Sequence, residues 1–225
     1  MSEIFRQELK FSIHTMDCEA LRYRLRAFLT PDAHGDGNGG YWIRSLYFDD
    51  IDYSAYHEKI TGIKERTKYR IRMYDYDPSY IILEKKERNA DLCRKVTTVI
   101  DEAIARRVME GGPSEAPGEL GREFDLRHSE GLRPVVLVDY YRYAFSEPFS
   151  GTRVTLDTRL CSPVYSLDFF DRDAALFPVF DEEEALIELK FDGRPPDFIP
   201  ELLSDIPKNR IALSKYTRCL EMIHE

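Results

Sequence analysis

Along much of this chain, ionic and apolar side chains alternate with a period of two, the spacing of a strand with one buried face. In the opening FRQELKFSI, Phe5, Gln7, Leu9 and Phe11 fall on one side, and Arg6, Glu8 and Lys10 on the other. Strand character returns at 41–50, 64–72, 81–88, 134–145, 152–160 and 185–191, with a turn at Asp77 and Pro78. Helical spacing replaces it where Leu21, Leu25, Phe28 and Leu29 recur, and Thr15 is placed to cap that helix. Further helices are predicted near 100–110, 197–206 and 208–223, and a short helix or turn over 51–62. The glycine-rich stretch 34–40 reads as a flexible loop. Segment 111–121, GGPSEAPGELG, reads as a mobile insertion, because similar strands resume beyond it. One domain spanning 1–225 follows.

The sharpest row is KERTKYRIR, in which Lys64, Arg66, Lys68, Arg70 and Arg72 share one strand face. At about 3.3 Å per residue the row would run roughly 26 Å. Neighbouring cations about 7 Å apart repel by roughly 2 kcal/mol at an effective dielectric near 20. An outward, hydrated face would screen that cost. An extended polyanion would repay it.

Other strands carry the same arrangement. Glu84 and Lys86 oppose Leu83; Arg153, Thr155 and Asp157 oppose Val154 and Leu156; Glu188 and Lys190 oppose Ile187, Leu189 and Phe191. Arg142 shares parity with Val136, Val138 and Tyr140, a less clean pattern. A sandwich would turn these ionic faces to water. The alternative is an antiparallel β-barrel with a polar lumen and an apolar outside covered by helices, an α+β fold. Glu-x-Lys recurs at Glu8/Lys10, Glu84/Lys86 and Glu188/Lys190. Such a pair can hold a divalent cation and a phosphate together, and carboxylate oxygens suit Mg²⁺ or Mn²⁺.

Composition narrows the classes. The net charge is −9, which argues against nonspecific nucleic-acid binding and makes the cationic row a local exception. Cys18, Cys93, Cys161 and Cys219 form no CxxC pair, which predicts reduced thiols and a cytoplasmic chain. The scattered histidines form no HxxxH pair. No stretch has the ~20 apolar residues of a membrane helix, and no phosphate-binding GxxxxGK[ST] loop is present.

RxELKF at 6–11, SLYFDD at 45–50, RTKYRIRMY at 66–74 and LEKKER at 83–88 resemble the VTC domain. YRYAF at 141–145, RVTLDT at 153–158, IELKF at 187–191 and SKYTR at 214–218 continue the resemblance in order. It is weakest over 105–130 and 160–182. VTC domains belong to the CYTH-like, triphosphate tunnel metalloenzyme group, whose fold is an antiparallel barrel around a cationic tunnel. The resemblance implies a tunnel in which Arg70, Arg72, Lys86, Arg142, Arg153 and Lys190 act on phosphate groups. It implies that Lys10, Arg66, Lys68 and Lys215 bind substrate. Glu188 matches the family's metal-binding glutamate, with Glu8 and Glu84 as helpers. Where the wider group has ExExK on its first strand, Arg6 replaces the first glutamate, as in other VTC domains.

The activity so implied is polyphosphate polymerisation, moving the γ-phosphate of a nucleoside triphosphate onto inorganic polyphosphate with Mn²⁺ or Mg²⁺. A triphosphatase and a noncatalytic polyphosphate or nucleotide sensor need the same charges. Export of a polymer would need a separate membrane partner. Of the remaining acids, Asp139 is expected to be structural, Asp157 an ion-pair partner or a ligand, and Asp49 a cap for the segment after it.

Overall fold

The computed structural model describes residues 6–90, 92–181 and 183–224. Phe5, assigned above to the first strand, lies outside them. The chain runs β1 (Gln7–His14), α1 (Thr15–Phe28), β2 (Thr30–Pro31), β3 (Tyr41–Asp49), α2 (Ser54–Ile60), β4 (Glu65–Tyr74) and β5 (Asp77–Asn89). It continues through β6 (Leu92–Ile100), α3 (Glu102–Met109), α4 (Gly118–Ser129), β7 (Arg133–Ser146), β8 (Arg153–Pro163) and β9 (Leu176–Pro178). β10 (Glu184–Phe191), α5 (Phe198–Leu202), β11 (Asn209–Arg210) and α6 (Lys215–His224) complete it.

All eleven strands join one antiparallel sheet in the order β11-β1-β10-β8-β7-β3-β4-β5-β6, with β2 added to β7 and β9 to β8. The hydrogen-bonded ladder does not close among the described residues, so the antiparallel sheet is as expected and its closure into a barrel is not confirmed. An isolated bridge from Arg6 to Cys93, with both N···O distances 3.4 Å, links the start of β1 to β6. Closure along the rest of β1 is blocked because β11 takes that edge: Phe11 pairs with Arg210, and Ile211 N–H donates to the Lys10 carbonyl at 3.0 Å.

The period-two reading explains how the sheet is covered. Apolar positions of β1, β7, β8 and β10 (Ile13, Tyr143, Leu156, Ile187) pack under α1 and α5. Those of β3, β4 and β5 (Phe48, Ile71, Leu83) pack under α3 and α4. Burying one such side chain contributes about 1.5–3 kcal/mol, which fixes strand parity and sends the ionic positions to the other face.

Several boundaries differ from the expectation. His14 rather than Thr15 caps α1, its Nδ1 accepting from Met16 N–H at 3.1 Å. Phe28 is 63% exposed, because the helix ends there and Leu29 takes the buried position. The helix expected over 197–206 is one short turn, 198–202. Lys64 precedes β4 and is exposed, so the cationic row starts at Arg66.

The end of the 111–121 segment is the start of α4, which sequence periodicity missed. Gly121 looked like a breaker, but a Cβ there would come within 1.9 Å of the Ala116 carbonyl oxygen. It is a close-packing residue inside the helix. The 208–223 helix begins only at Lys215, since Asn209 and Arg210 are spent on β11. Lys215 therefore opens α6, where the expected helix over 208–223 would place it mid-helix. α6 is also no outer cover. Tyr216, Cys219 and Leu220 pack with Ile43, Val136, Val138 and Leu186, which share parity with the ionic positions. The helix thus packs on the same side of the sheet as the ionic positions.

Candidate functional site

What α6 leaves open is a cavity of about 770 Å³. Arg66, Lys68, Arg70 and Arg72 of β4 line it in sequence, every second residue as the strand requires. Lys86 and Glu84 enter from β5, Arg142 from β7 and Arg153 from β8. Lys10 and Glu8 come from β1, Glu188 and Lys190 from β10, and Lys215 from α6. Every residue to which the resemblance assigns a role thus lines one cavity. Among the described residues, sixteen Lys and Arg line it against three glutamates, half of the 32 basic residues in a chain of net charge −9. That concentration is the site's defining property.

Register places acids directly opposite bases. Glu8 pairs with Lys190 across β1 and β10, and Lys10 with Glu188. Lys10 Nζ lies 3.0 Å from Glu8 and 3.7 Å from Glu188. Lys190 Nζ lies 2.9 Å from Glu188, and Lys86 Nζ 3.0 Å from Glu8. Burial would raise the Glu188 carboxyl, but Lys190, Lys10 and Arg142 override it and hold it well below the usual carboxylate range. Burial and Glu188 likewise oppose ionisation of Glu8, and Lys86, Lys10 and Lys190 prevail. Both acids are ionised at neutral pH.

Glu84 is held elsewhere, its fully buried carboxylate ion-paired with the half-buried Arg70 and 3.5 Å from Lys95. Arg70 also donates to the Tyr47 hydroxyl at 2.6 Å. Asp157 is an ion-pair partner: Arg142 contacts it through two nitrogens at 2.6 and 2.7 Å, and Lys215 at 2.6 Å. It does not line the cavity, and it orients the two cations that do. Asp139 lies on the far side of β7 in a buried pair with Arg44. Asp49 caps α2, accepting from Ala55 and Tyr56 N–H at 3.0 and 3.2 Å, and from Tyr216.

Several contributors escaped the sequence reading, among them Tyr47, Lys59, Arg88, Lys95 and Arg210. Lys59 sits on α2, too short for periodicity to orient. Lys95 lies on β6, whose VTTV run was the available signal.

Lys68 carries a testable consequence. Burial, then Lys10, Lys86 and Lys59, push its ammonium down to about 7, with Asp49 opposing. Its Nζ is 3.2 Å from the Ser214 hydroxyl and 4.2 Å from the Tyr216 ring centroid. Between about pH 7 and the unfolded value near 10.4 the unfolded chain binds the extra proton, so this group's contribution to stability rises with pH. An anion in the cavity reverses that preference. Tripolyphosphate binding at pH 8 is therefore expected to take up protons, read as a buffer-dependent calorimetric enthalpy, and the Lys68→Met variant should lose most of that uptake. Equal uptake in both proteins would exclude Lys68.

Comparison with solved structures supports the fold. A candidate adenylate cyclase from Bacillus halodurans matches at a TM-score of 0.59 and 15% identity, over 95% of this chain and 96% of that one. A chain of the Schizosaccharomyces pombe Mediator head module matches at 0.55 and 9% identity, over 92% and 100%. At such identities the likeness concerns the α+β antiparallel architecture alone. No curated protein matches the sequence. The sequence profile of the VTC domain, however, matches residues 5–224, the same span that builds the sheet and every cavity-lining strand. The chain belongs to the VTC domain family.

Proposed function

We propose that this protein transfers the γ-phosphoryl group of a nucleoside triphosphate to the end of an inorganic polyphosphate chain held in the same cavity. The observation that carries this is half of all the basic side chains turned into one cavity of an acidic protein. A phosphate chain is the ligand with that charge density and that length.

The donor set suits a divalent cation. Glu8 and Glu188 are ionised, face the cavity and share Lys10 and Lys190. No cluster of three His, Cys, Asp or Glu able to hold a metal exists among the described residues. Mg²⁺ and Mn²⁺ are commonly held by one or two carboxylates, with substrate phosphates completing the shell. Glu188, helped by Glu8, would hold the ion; Glu84 is committed to Arg70. When bound, the ion neutralises charge on the transferring phosphoryl group.

The chain's own residues do the rest. Arg142 and Lys215, fixed by Asp157, and Arg72, fixed by Ser45 at 3.0 Å, present rigid charge to phosphate oxygens. Arg70, Lys86 and Lys190 add charge from neighbouring strands. Phosphoryl transfer needs positioning and charge stabilisation more than proton abstraction, and the attacking phosphate oxygen is already anionic.

Purified protein with ATP and Mn²⁺, with and without a polyphosphate primer, tests the reading. Primer-dependent chain growth is expected. Phosphate release without growth would make it a triphosphatase, and binding without turnover a sensor. Tripolyphosphate should raise the melting temperature by mass action, and less so at high salt. A melting temperature insensitive to tripolyphosphate at low salt would reject the cavity as an anion site. No helix among the described residues is long and apolar enough to cross a membrane.

A further inference from the structure

β4 spans the cavity, with Arg66 toward one end and Tyr74 at the other. At the Tyr74 end the lining changes from ionic to aromatic. The rings of Tyr74 and Tyr80 stack at 6.3 Å between centroids and 28° between planes. Tyr41, which also lines the cavity, meets Tyr74 edge-on at 5.8 Å and 67°. Tyr80, on β5, is 50% exposed and lies outside the cavity lining, which it borders through its stack on Tyr74. The pair therefore stands at the edge of the cavity, with Tyr74 on the inner side.

A cross-strand tyrosine pair can serve only to hold a hairpin together. Two features argue for more. First, the β4–β5 register shifts between Arg72 and Tyr74, a bulge of the kind that re-aims side chains beside functional sites. Second, cationic groups stand next to the rings on the inward side. Arg153 reaches the Tyr41 hydroxyl at 3.2 Å and Asp32 at 2.9 Å, and Arg72 lies one pleat inward from Tyr74. A planar ring system beside phosphate-binding cations matches a nucleotide, whose base and phosphates require those two surfaces in that order.

We propose that Tyr74 and Tyr80 are the platform on which the base of the nucleoside triphosphate stacks, with its phosphates passing inward to Arg72 and Arg153. The inference rests on the phosphoryl-transfer reading above and assigns the donor's base to one end of the cavity. Stacking reads the size of a π-face more than its hydrogen-bonding edge. The platform therefore favours purines over pyrimidines and separates adenine from guanine poorly.

The test compares ATP with inorganic tripolyphosphate by calorimetry on the full chain, for wild type, Tyr80→Ala and Tyr80→Trp. Tyr80→Ala is expected to bind ATP about tenfold more weakly, within the range of base–aromatic stacking, and tripolyphosphate within about twofold of wild type. Tyr80→Trp should retain ATP affinity, which separates loss of the platform from loss of the fold. Tyr80→Ala binding ATP like wild type would overturn the proposal. So would equal loss of both ligands, or loss of ATP that tryptophan does not restore. A wild-type protein that binds neither anion fails the phosphoryl-transfer reading first, a result distinct from all of these.

Discussion

Replacing Glu188 with Gln is expected to cut Mn²⁺-dependent turnover at least about tenfold, more than about 1.4 kcal/mol of transition-state stabilisation. The side chain is buried in the cavity wall and already ionised, with Lys190 Nζ at 2.9 Å, Arg142 Nη2 at 3.6 Å and Lys10 Nζ at 3.7 Å. Glutamine keeps its shape and removes the charge that a hard cation needs. The same change makes the cavity more positive. Metal-free tripolyphosphate should therefore bind the variant as tightly as wild type, or more tightly. That opposition is the signature to look for, since a merely misfolded variant would lose both. Because the cations hold this carboxyl well below the usual range, protonating it should not shape the pH–rate profile between pH 5 and 8. Unchanged Mn²⁺-dependent turnover in the variant would remove Glu188 from the mechanism.

What the sequence disclosed followed from the period of a strand. Where a strand buries one face, parity alone orients every side chain, so the spacing within KERTKYRIR, Glu8/Lys10 and Glu188/Lys190 suffices to turn them toward a common ionic face. Parity says nothing about which strand meets which. The Arg70–Glu84 and Lys86–Glu8 pairs depend on register across β4–β5 and on the approach of β1 to β5, and local spacing encodes neither. Parity is also silent on what packs on the side of the ionic positions. α6 is amphipathic like an outer helix, and only the tertiary fold shows it packed inside against Val136, Val138 and Leu186. The 118–129 helix was hidden because Gly118 and Gly121 act there as a turn and a close contact, not as breakers. Tyr74 and Tyr80 lie outside the predicted strands 64–72 and 81–88, and the bulge beside them has no signature in local composition.

The Arg70→Gln variant tests how the cationic row is stabilised. Repulsion along an unneutralised row would predict that removing Arg70 leaves the empty protein unchanged or slightly more stable. The structure reverses that expectation. Arg70 is ion-paired with Glu84, whose side chain has no solvent exposure, and donates to Tyr47 at 2.6 Å. Burial alone would push the Glu84 carboxyl up, and Arg70, Arg72 and Lys95 hold it far below the usual range. Without Arg70, Glu84 keeps Lys95 at 3.5 Å but loses its closest counter-charge. Stranding one partner of a buried pair costs about 3 kcal/mol, so the variant should melt roughly 6–12 °C lower. It should also bind tripolyphosphate roughly ten- to a hundredfold more weakly, the contribution of one charge-assisted contact. The double variant Arg70→Gln, Glu84→Gln separates the two effects. Neutralising both partners removes the stranded charge, so most of the melting temperature should return while the binding defect persists. Thermal melts of wild type, single and double variants across a tripolyphosphate titration give both readings at once. A single variant that melts like wild type would show that the pair contributes nothing to stability. A destabilised variant that still binds like wild type would remove Arg70 from the anion site.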